Sequence, residues 1–209
     1  MEIFQLLTHL DQHLLNLAQV YGTWIYLILF LIVFAETGLV VAPFLPGDSL
    51  LFVTGALAGT GALHPGILLG LLLAASFLGD NTNYWIGRYF GPRIFHSKTS
   101  RLLNRQHLEL THAFYRKHGG KAIILARFFP IIRTFAPFVA GVGRMDYRQF
   151  LPYSFAGGLA WVGFFVLSGY FFGNIPAVKQ NLSLVMLGII AVSLSPGLFH
   201  FLRQRLRRG

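Results

Sequence analysis

The sequence predicts an all-α polytopic membrane protein: one membrane domain over residues 1–209, built as an inverted repeat with two re-entrant, broken-helix hairpins plus full transmembrane helices. Three observations predict this class. Of the 209 residues, 55% are hydrophobic and only 11% charged, whereas a soluble domain carries about 25% charged residues. Prolines and single charges interrupt long apolar runs. Clusters of Lys and Arg flank these runs, as they do on the cytoplasmic face of membrane proteins.

The formal net charge of +10 would suggest nucleic-acid binding in a soluble protein. Here the basic residues concentrate between apolar segments and in the tail, which the positive-inside rule explains, so we expect no nucleic-acid partner. The chain has no cysteine, which excludes a disulfide framework, a thiolate nucleophile and a cysteine-based metal site. It also has no His-Glu-x-x-His pattern and no phosphate-binding loop. We therefore expect neither a metal, a cofactor nor an enzymatic activity.

The first predicted element is an amphipathic helix over residues 1–21, with apolar residues at helical spacing. Such a helix lies in the membrane interface or covers a helical bundle, and its sequence fits both. Because this end carries Glu2 and Asp11 instead of a basic region, we expect no cleaved signal peptide.

Residues 24–59 form an apolar stretch that is too long for one span, since a bilayer core needs about 20 residues. Pro43, Pro46 and Gly47 break it in the middle. Broken backbone at membrane depth requires cover by protein or a wet cavity, which favours a first re-entrant hairpin. Two ordinary spans joined by a surface turn fit the same residues.

A transmembrane helix over 66–86 follows, then a basic cytoplasmic segment over 88–121. Residues 122–143 are apolar but contain two arginines together with Pro130 and Pro137. A straight helix here would bury both arginines and both prolines in one span. We therefore predict a second re-entrant hairpin, broken at these prolines.

Two charge-free spans, over 151–173 and 182–202, precede the basic tail 203–209. The positive-inside rule then predicts a multi-pass protein with a cytoplasmic C-terminus. The first hairpin would open to the periplasm and the second to the cytoplasm. A shift of about 97 positions places Gly22 on Gly119 and Glu36 on Arg133, and inverted repeats with broken helices build midplane sites in many transporters.

Five charged side chains fall inside the apolar segments: Glu36, Asp48, Asp80, Arg127 and Arg133. Each charge costs about 2.5–3.5 kcal/mol at the centre of a membrane helix on insertion scales. Mutual neutralisation lowers this cost, so we predict that Glu36 and Asp48 lie within salt-bridging distance of one of the arginines. Asp80 is expected either to reach water or to bond hydroxyls of a neighbouring helix.

These charges also suggest a chemistry. The guanidinium group of an arginine can donate two parallel hydrogen bonds to phosphate oxygens. Arg127 and Arg133 are therefore the candidate phosphate ligands. Glu36, Asp48 and Asp80 are the candidate counter-charges and proton acceptors. The competing interpretation is a permanent salt-bridge network that only holds the hairpins together.

Three motifs resemble the DedA family of bacterial inner-membrane proteins. The first runs from Phe34-Ala35-Glu36-Thr37-Gly38 to the Pro-rich break ending at Asp48, the second from Gly79-Asp80 to Arg88, and the third from Arg127 through Pro137 to Gly141. The similarity covers nearly the whole chain, and the charged positions match.

The resemblance implies paired re-entrant hairpins, a domain shared with eukaryotic lipid scramblases, and essential charges at Glu36, Asp48, Arg127 and Arg133. It further implies a flippase for a polyprenyl-phosphate-type lipid, such as undecaprenyl phosphate, that is coupled to the proton-motive force. Roles of family members in envelope synthesis and proton-motive-force homeostasis agree with this function. The alternative function is a proton-coupled exporter of cations or small amphipathic compounds. The expected partners are membrane lipid, either a polyprenyl phosphate or an anionic phospholipid, and protons, and a homodimer stays an open alternative.

Overall fold

The computed structural model describes residues 22–39, 47–95, 119–181, 184–185 and 188–189. Throughout these ranges the regular secondary structure is α-helical. The helices named here, in chain order, are α1 Trp24–Gly38, α2 Gly47–Gly59, α3 Pro65–Phe95, α4 Lys121–Ala126, α5 Pro130–Val142, α6 Tyr147–Phe172 and α7 Pro176–Gln180.

Two of these helices are long and apolar enough to cross a membrane. The candidate spans are Pro65–Phe90 of α3 and Tyr147–Phe172 of α6, with mean hydropathies of 1.2 and 1.6. At about 1.5 Å per residue each span exceeds the hydrocarbon thickness of roughly 30 Å. Large apolar side chains such as Phe164 and Phe171 are exposed on α6, as expected where lipid replaces water. Among the described residues the predicted all-α class is confirmed, and the two apolar helices agree with the predicted membrane protein.

The first predicted hairpin contains two helices, α1 and α2, on either side of residues 39–46. They have 15 and 13 residues, so each falls short of the roughly 20 residues that a full span needs. Gly47 is the first residue of α2, while Pro43 and Pro46 lie outside the described residues. The re-entrant path of this hairpin stays a prediction.

The second predicted hairpin is interrupted between α4 and α5. Phe129 is extended, with φ −116° and ψ 109°, because a residue that precedes proline avoids the helical region. Pro130 then begins α5, where its missing N–H has no cost. Pro137, however, lies inside α5, so the prediction of a break at this residue is wrong. The helix continues through Pro137, although a proline there has no N–H to donate to the carbonyl of Arg133.

Helix α3 is longer than the predicted span 66–86, since it continues to Phe95. The apolar stretch of the sequence stops at Arg88, but the helix continues beyond this residue. Its Nη1 donates to the Tyr84 hydroxyl at 2.7 Å and to the carbonyl of Met145 at 3.4 Å. Its guanidinium also lies 5.7 Å from the ring centre of Trp85, a cation–π distance. Of the other predicted segments, 1–21, 203–209, most of 182–202 and residues 96–118 lie outside the described residues.

The chain divides into two compact units. Among the described residues, unit 1 comprises those within 22–33, 47–74 and 160–189, and unit 2 comprises those within 34–39 and 75–159. In unit 1, α2 approaches α6 closely: a Cβ at Gly55 would overlap the carbonyl of Val166, and one at Gly169 would overlap that of Phe52. Small residues permit such helix contacts in membranes.

Unit 2 contains a contact of the same kind, between α3 and α5. A Cβ at Gly87 would overlap the carbonyl of Phe138, and one at Gly141 would overlap that of Tyr84. Beside it, a buried cluster joins Tyr84 to residues of α4, α5 and α6, namely Ile123, Ala140 and Phe150. In each unit the second helix of a predicted hairpin thus packs on a long helix through glycines. The inverted repeat itself stays a prediction.

Candidate functional site: two buried ion pairs

A polar face runs along the unit 2 part of α3. Ser76, Asp80, Asn83 and Gly87 recur at i, i+4, i+7 and i+11, so they share one side of the helix. The three polar side chains are at most 3% exposed. The opposite side carries apolar residues such as Leu78, which is exposed. This helix therefore supplies a row of buried polar groups to its neighbours within unit 2.

Asp80 forms an ion pair with Arg127, through Oδ2 and Nη2. Two serines complete the cluster. Arg127 Nη1 donates to Ser76 Oγ at 2.6 Å, Nη2 donates to the carbonyl of Ser154 at 3.3 Å, and Ser154 Oγ donates to Asp80 Oδ2 at 2.6 Å. The two charged side chains are only 5% and 4% exposed. The cluster joins α3, the break after α4, and α6 in a group whose formal charges cancel.

A glycine makes room for the guanidinium. A Cβ at Gly157 of α6 would lie 3.0 Å from Arg127 Cδ and 3.1 Å from Nε. Most larger residues at this position would force the arginine stem to move. The sequence predicted a hydroxyl of a neighbouring helix as a partner of Asp80, which Ser154 confirms, but it did not predict the pairing with Arg127.

The second ion pair joins Arg133 Nη2 of α5 to Glu36 Oε1 of α1. The side chains are 6% and 0% exposed. The two residues are 97 positions apart, in agreement with the predicted shift that aligns Glu36 with Arg133 in the sequence. The predicted salt bridge between an acid of the first hairpin and an arginine of the second is confirmed for Glu36.

Asn83 connects the backbones that carry this pair. Its Nδ2 donates to the carbonyl of Thr37 at 3.2 Å and to the carbonyl of Thr134 at 2.6 Å. The end of α1 approaches α3 closely at this level, since a Cβ at Gly38 would lie 3.2 Å from Gly79 Cα. Sequence reasoning did not single out Asn83 or Ser76. Their spacing from Asp80 on one face of an apolar helix was the signal that identifies them.

Asp48 lies in unit 1, in the first turn of α2. It is 8% exposed, and its Oδ1 accepts a hydrogen bond of 2.9 Å from Trp161 Nε1. A carboxylate near a helix N-terminus is favoured by the helix dipole. Because the arginines belong to unit 2, the pairing of Asp48 with one of them stays a prediction.

Long apolar helices and buried ion pairs within one unit define a polytopic membrane protein with charges inside its membrane domain. The chain belongs to the VTT-domain family, and within it to the DedA proteins, because residues 45–171 match the VTT domain and its relatives include DedA itself. Protein DedA of Escherichia coli K12 is 54% identical over 97% of this chain and 94% of its own length.

Two more distant relatives are named as membrane proteins. An uncharacterized membrane protein of Mycobacterium tuberculosis H37Rv is 43% identical over 91% of this chain and 85% of its own length. The inner membrane protein YqjA of Escherichia coli K12 is 38% identical over 73% of this chain and 69% of its own length. No solved structure matches the chain.

Proposed function

We propose that this protein is a carrier for a lipid phosphate of the polyprenyl-phosphate type, such as undecaprenyl phosphate, and that its transport is coupled to protons. The observation that supports the proposal is the pair of buried arginines, each held by a buried carboxylate. Intramembrane ionisable residues usually belong to a substrate or proton path. The name of YqjA supports placing the protein in the bacterial inner membrane.

Charge balance in a nearly dry site explains why phosphate and proton movement would be linked. A guanidinium binds phosphate oxygens with the same pair of parallel N–H donors that it uses to bind a carboxylate. If phosphate displaces Glu36 from Arg133, an unpaired buried carboxylate results, and such a charge is very costly. Protonation of Glu36 removes this charge, so one proton accompanies the exchange. The polyprenyl tail meanwhile stays in the surrounding lipid.

Asp80 and Arg127 offer a second exchange of the same kind in unit 2. Asp48 of unit 1 is proposed as a further proton acceptor, since it is buried beside Trp161 with a polar partner. A membrane potential of 100 mV contributes about 2.3 kcal/mol per charge moved, which is enough to drive such a cycle in one direction.

The test is lipid movement in proteoliposomes that contain the purified protein and a labelled polyprenyl phosphate. Wild-type protein is expected to move the label across the bilayer, faster with a proton gradient. Arg133→Ala and Glu36→Gln are expected to lose about a hundredfold in rate, as misplaced binding groups commonly do. Arg148→Ala is the matched control, because Arg148 is an exposed arginine of the same unit.

Three outcomes contradict the carrier. Unchanged lipid movement in Arg133→Ala and Glu36→Gln would show that the buried pair has only a structural role. A gradient-driven cation flux without lipid movement would replace the lipid by a cation or small amphipathic substrate. Release of inorganic phosphate from the lipid would indicate an enzyme.

A further inference from the structure

Asn83 is a fully buried amide whose two hydrogen bonds reach two other helices. Its relative exposure is 0%, and its Nδ2 contacts the carbonyls of Thr37 in α1 and Thr134 in α5. Both partners are acceptors, so the nitrogen end of the amide has to face them. One side-chain NH2 group on α3 therefore links the backbones of two elements that are distant in sequence.

The two linked residues directly follow the members of the second ion pair. Thr37 follows Glu36, and Thr134 follows Arg133. Fixing these two carbonyls fixes the distance and direction between the helical turns that carry the carboxylate and the guanidinium. Gly79, one turn earlier on α3, allows the approach, because a Cβ there would overlap the Thr37 hydroxyl.

The other end of the amide supports a role for the donors. Among the residues that the structure describes, Asn83 Oδ1 has no hydrogen-bond partner, although it is buried. A buried acceptor without a partner is unfavourable, and an apolar residue of similar size would avoid it. An asparagine at this place is explained if its two N–H groups are needed.

We propose that Asn83 is a positioning residue: it holds Glu36 and Arg133 in the geometry that allows the carboxylate and a lipid phosphate to exchange at the guanidinium. This inference rests on the proposed function. Asn83 donates its hydrogen bonds to the carbonyls of Thr37 and Thr134, so it acts on each charged residue through the backbone of the residue that follows it.

The first experiment compares Asn83→Ala, Asn83→Asp and Asn83→Ser in the proteoliposome assay. Alanine and aspartate both remove the N–H donors, and aspartate keeps the shape and an oxygen. Both are expected to lose about tenfold to a hundredfold in rate, a common effect of misplacing a reacting group. Serine retains one donor and is expected to fall between wild type and alanine. Asn81→Ala is the control: Asn81 Nδ2 bonds the Phe77 carbonyl of its own helix and its Oδ1 accepts from the Tyr147 hydroxyl of α6, so neither bond reaches the residues beside the ion pair.

Wild-type rates in Asn83→Ala would overturn the proposal, because that variant lacks any side-chain donor, whereas a buried aspartate keeps one O–H donor when it is protonated. A second experiment separates positioning from simple structural support. Glu36→Gln is combined with Asn83→Ala and with Asn81→Ala. A residue that acts through the ion pair gives non-additive effects. Glu36→Gln should therefore lower the transport rate only slightly further in the Asn83→Ala background. In the Asn81→Ala background it should lower the rate by the same factor as in wild type. If the rate losses of Glu36→Gln and Asn83→Ala multiply in the double variant, the proposal is also overturned.

A third measurement requires no transport. The unfolding midpoint in detergent is compared for wild type, Asn83→Ala, Glu36→Gln and the double variant, which also shows whether each variant folds. Non-additive shifts are expected, whereas additive shifts contradict the link between Asn83 and the pair. If wild-type protein moves no lipid phosphate, the proposed function fails, while this cycle still decides whether Asn83 positions the ion pair.

Discussion

At the scale of single residues, the organisation of unit 2 depends on buried charges that neutralise each other where water does not reach them. Arg127 and Arg133 each have a carboxylate partner, and the first also has the two serines. A lone buried charge costs far more than a lone buried hydroxyl. The pairs are therefore expected to stabilise the fold as partners, whether or not they also bind a ligand.

Asp80→Asn is expected to destabilise the protein by about 3–5 kcal/mol, because removing one partner of a buried pair leaves the other charge uncompensated. Adding Arg127→Gln to this variant should recover part of the loss. The measurement is reversible denaturant unfolding in detergent, with Asp146→Asn as the control at an exposed acid of the same unit. A loss no larger than that of the control would contradict a stabilising role for the pair.

At the scale of helices, close packing through glycine positions the candidate site. Gly87 of α3 and Gly141 of α5 bring these two helices together, and α3 also carries Asp80 and Asn83. A change in the α3–α5 separation therefore moves Asp80, the carboxylate partner of Arg127, and Asn83, which donates to the carbonyl of Thr134 in α5. The same helix offers a matched glycine, Gly70, around which no atom lies within 4 Å of an added Cβ.

Gly87→Ala is expected to destabilise the protein by about 1–3 kcal/mol, since the added methyl group overlaps a carbonyl and forces the backbones apart. Gly70→Ala should instead stabilise it by about 0.5–1 kcal/mol, because alanine is the better helix former in open space. Both are measured by unfolding in the same detergent. Equal effects of the two substitutions would count against the close helix contact.

At the scale of the whole molecule, the question is which side of the membrane each connection faces. The distribution of Lys and Arg predicts that the turn between α2 and α3 is periplasmic and that the tail 203–209 is cytoplasmic. The absence of cysteine from the chain makes this simple to measure, because each introduced thiol is the only one present.

Ala62→Cys lies in the exposed turn before α3 and is expected to react with a membrane-impermeant maleimide in intact cells. Gly209→Cys should react only after the cells are opened. Leu72→Cys, at a fully buried position, is the control that should stay unlabelled in both conditions. Labelling of Gly209→Cys in intact cells would reverse the predicted orientation.

How far the sequence predicts the site differs from residue to residue. A salt bridge from Glu36 to one of the two arginines could be predicted, because isolated charges of opposite sign in apolar segments have few other ways to become neutral, but the choice of Arg133 could not. The partner of Arg127 could not be chosen, because Asp48 and Asp80 are equally acidic and equally isolated in the sequence. Similarly, Pro130 and Pro137 look alike in the sequence, but only the first begins a helix.

The sequence by itself determined the class of protein, the broken segments and the set of buried charges, because these follow from hydropathy, from the missing N–H of proline and from the cost of a charge in lipid. Only the tertiary structure decided that Asp80 neutralises Arg127, that α3 continues past Arg88, and that Asn83 joins the residues next to Glu36 and Arg133. These outcomes depend on which faces of helices distant in sequence meet, and hydrogen-bond partners across such contacts are set by packing rather than by local composition.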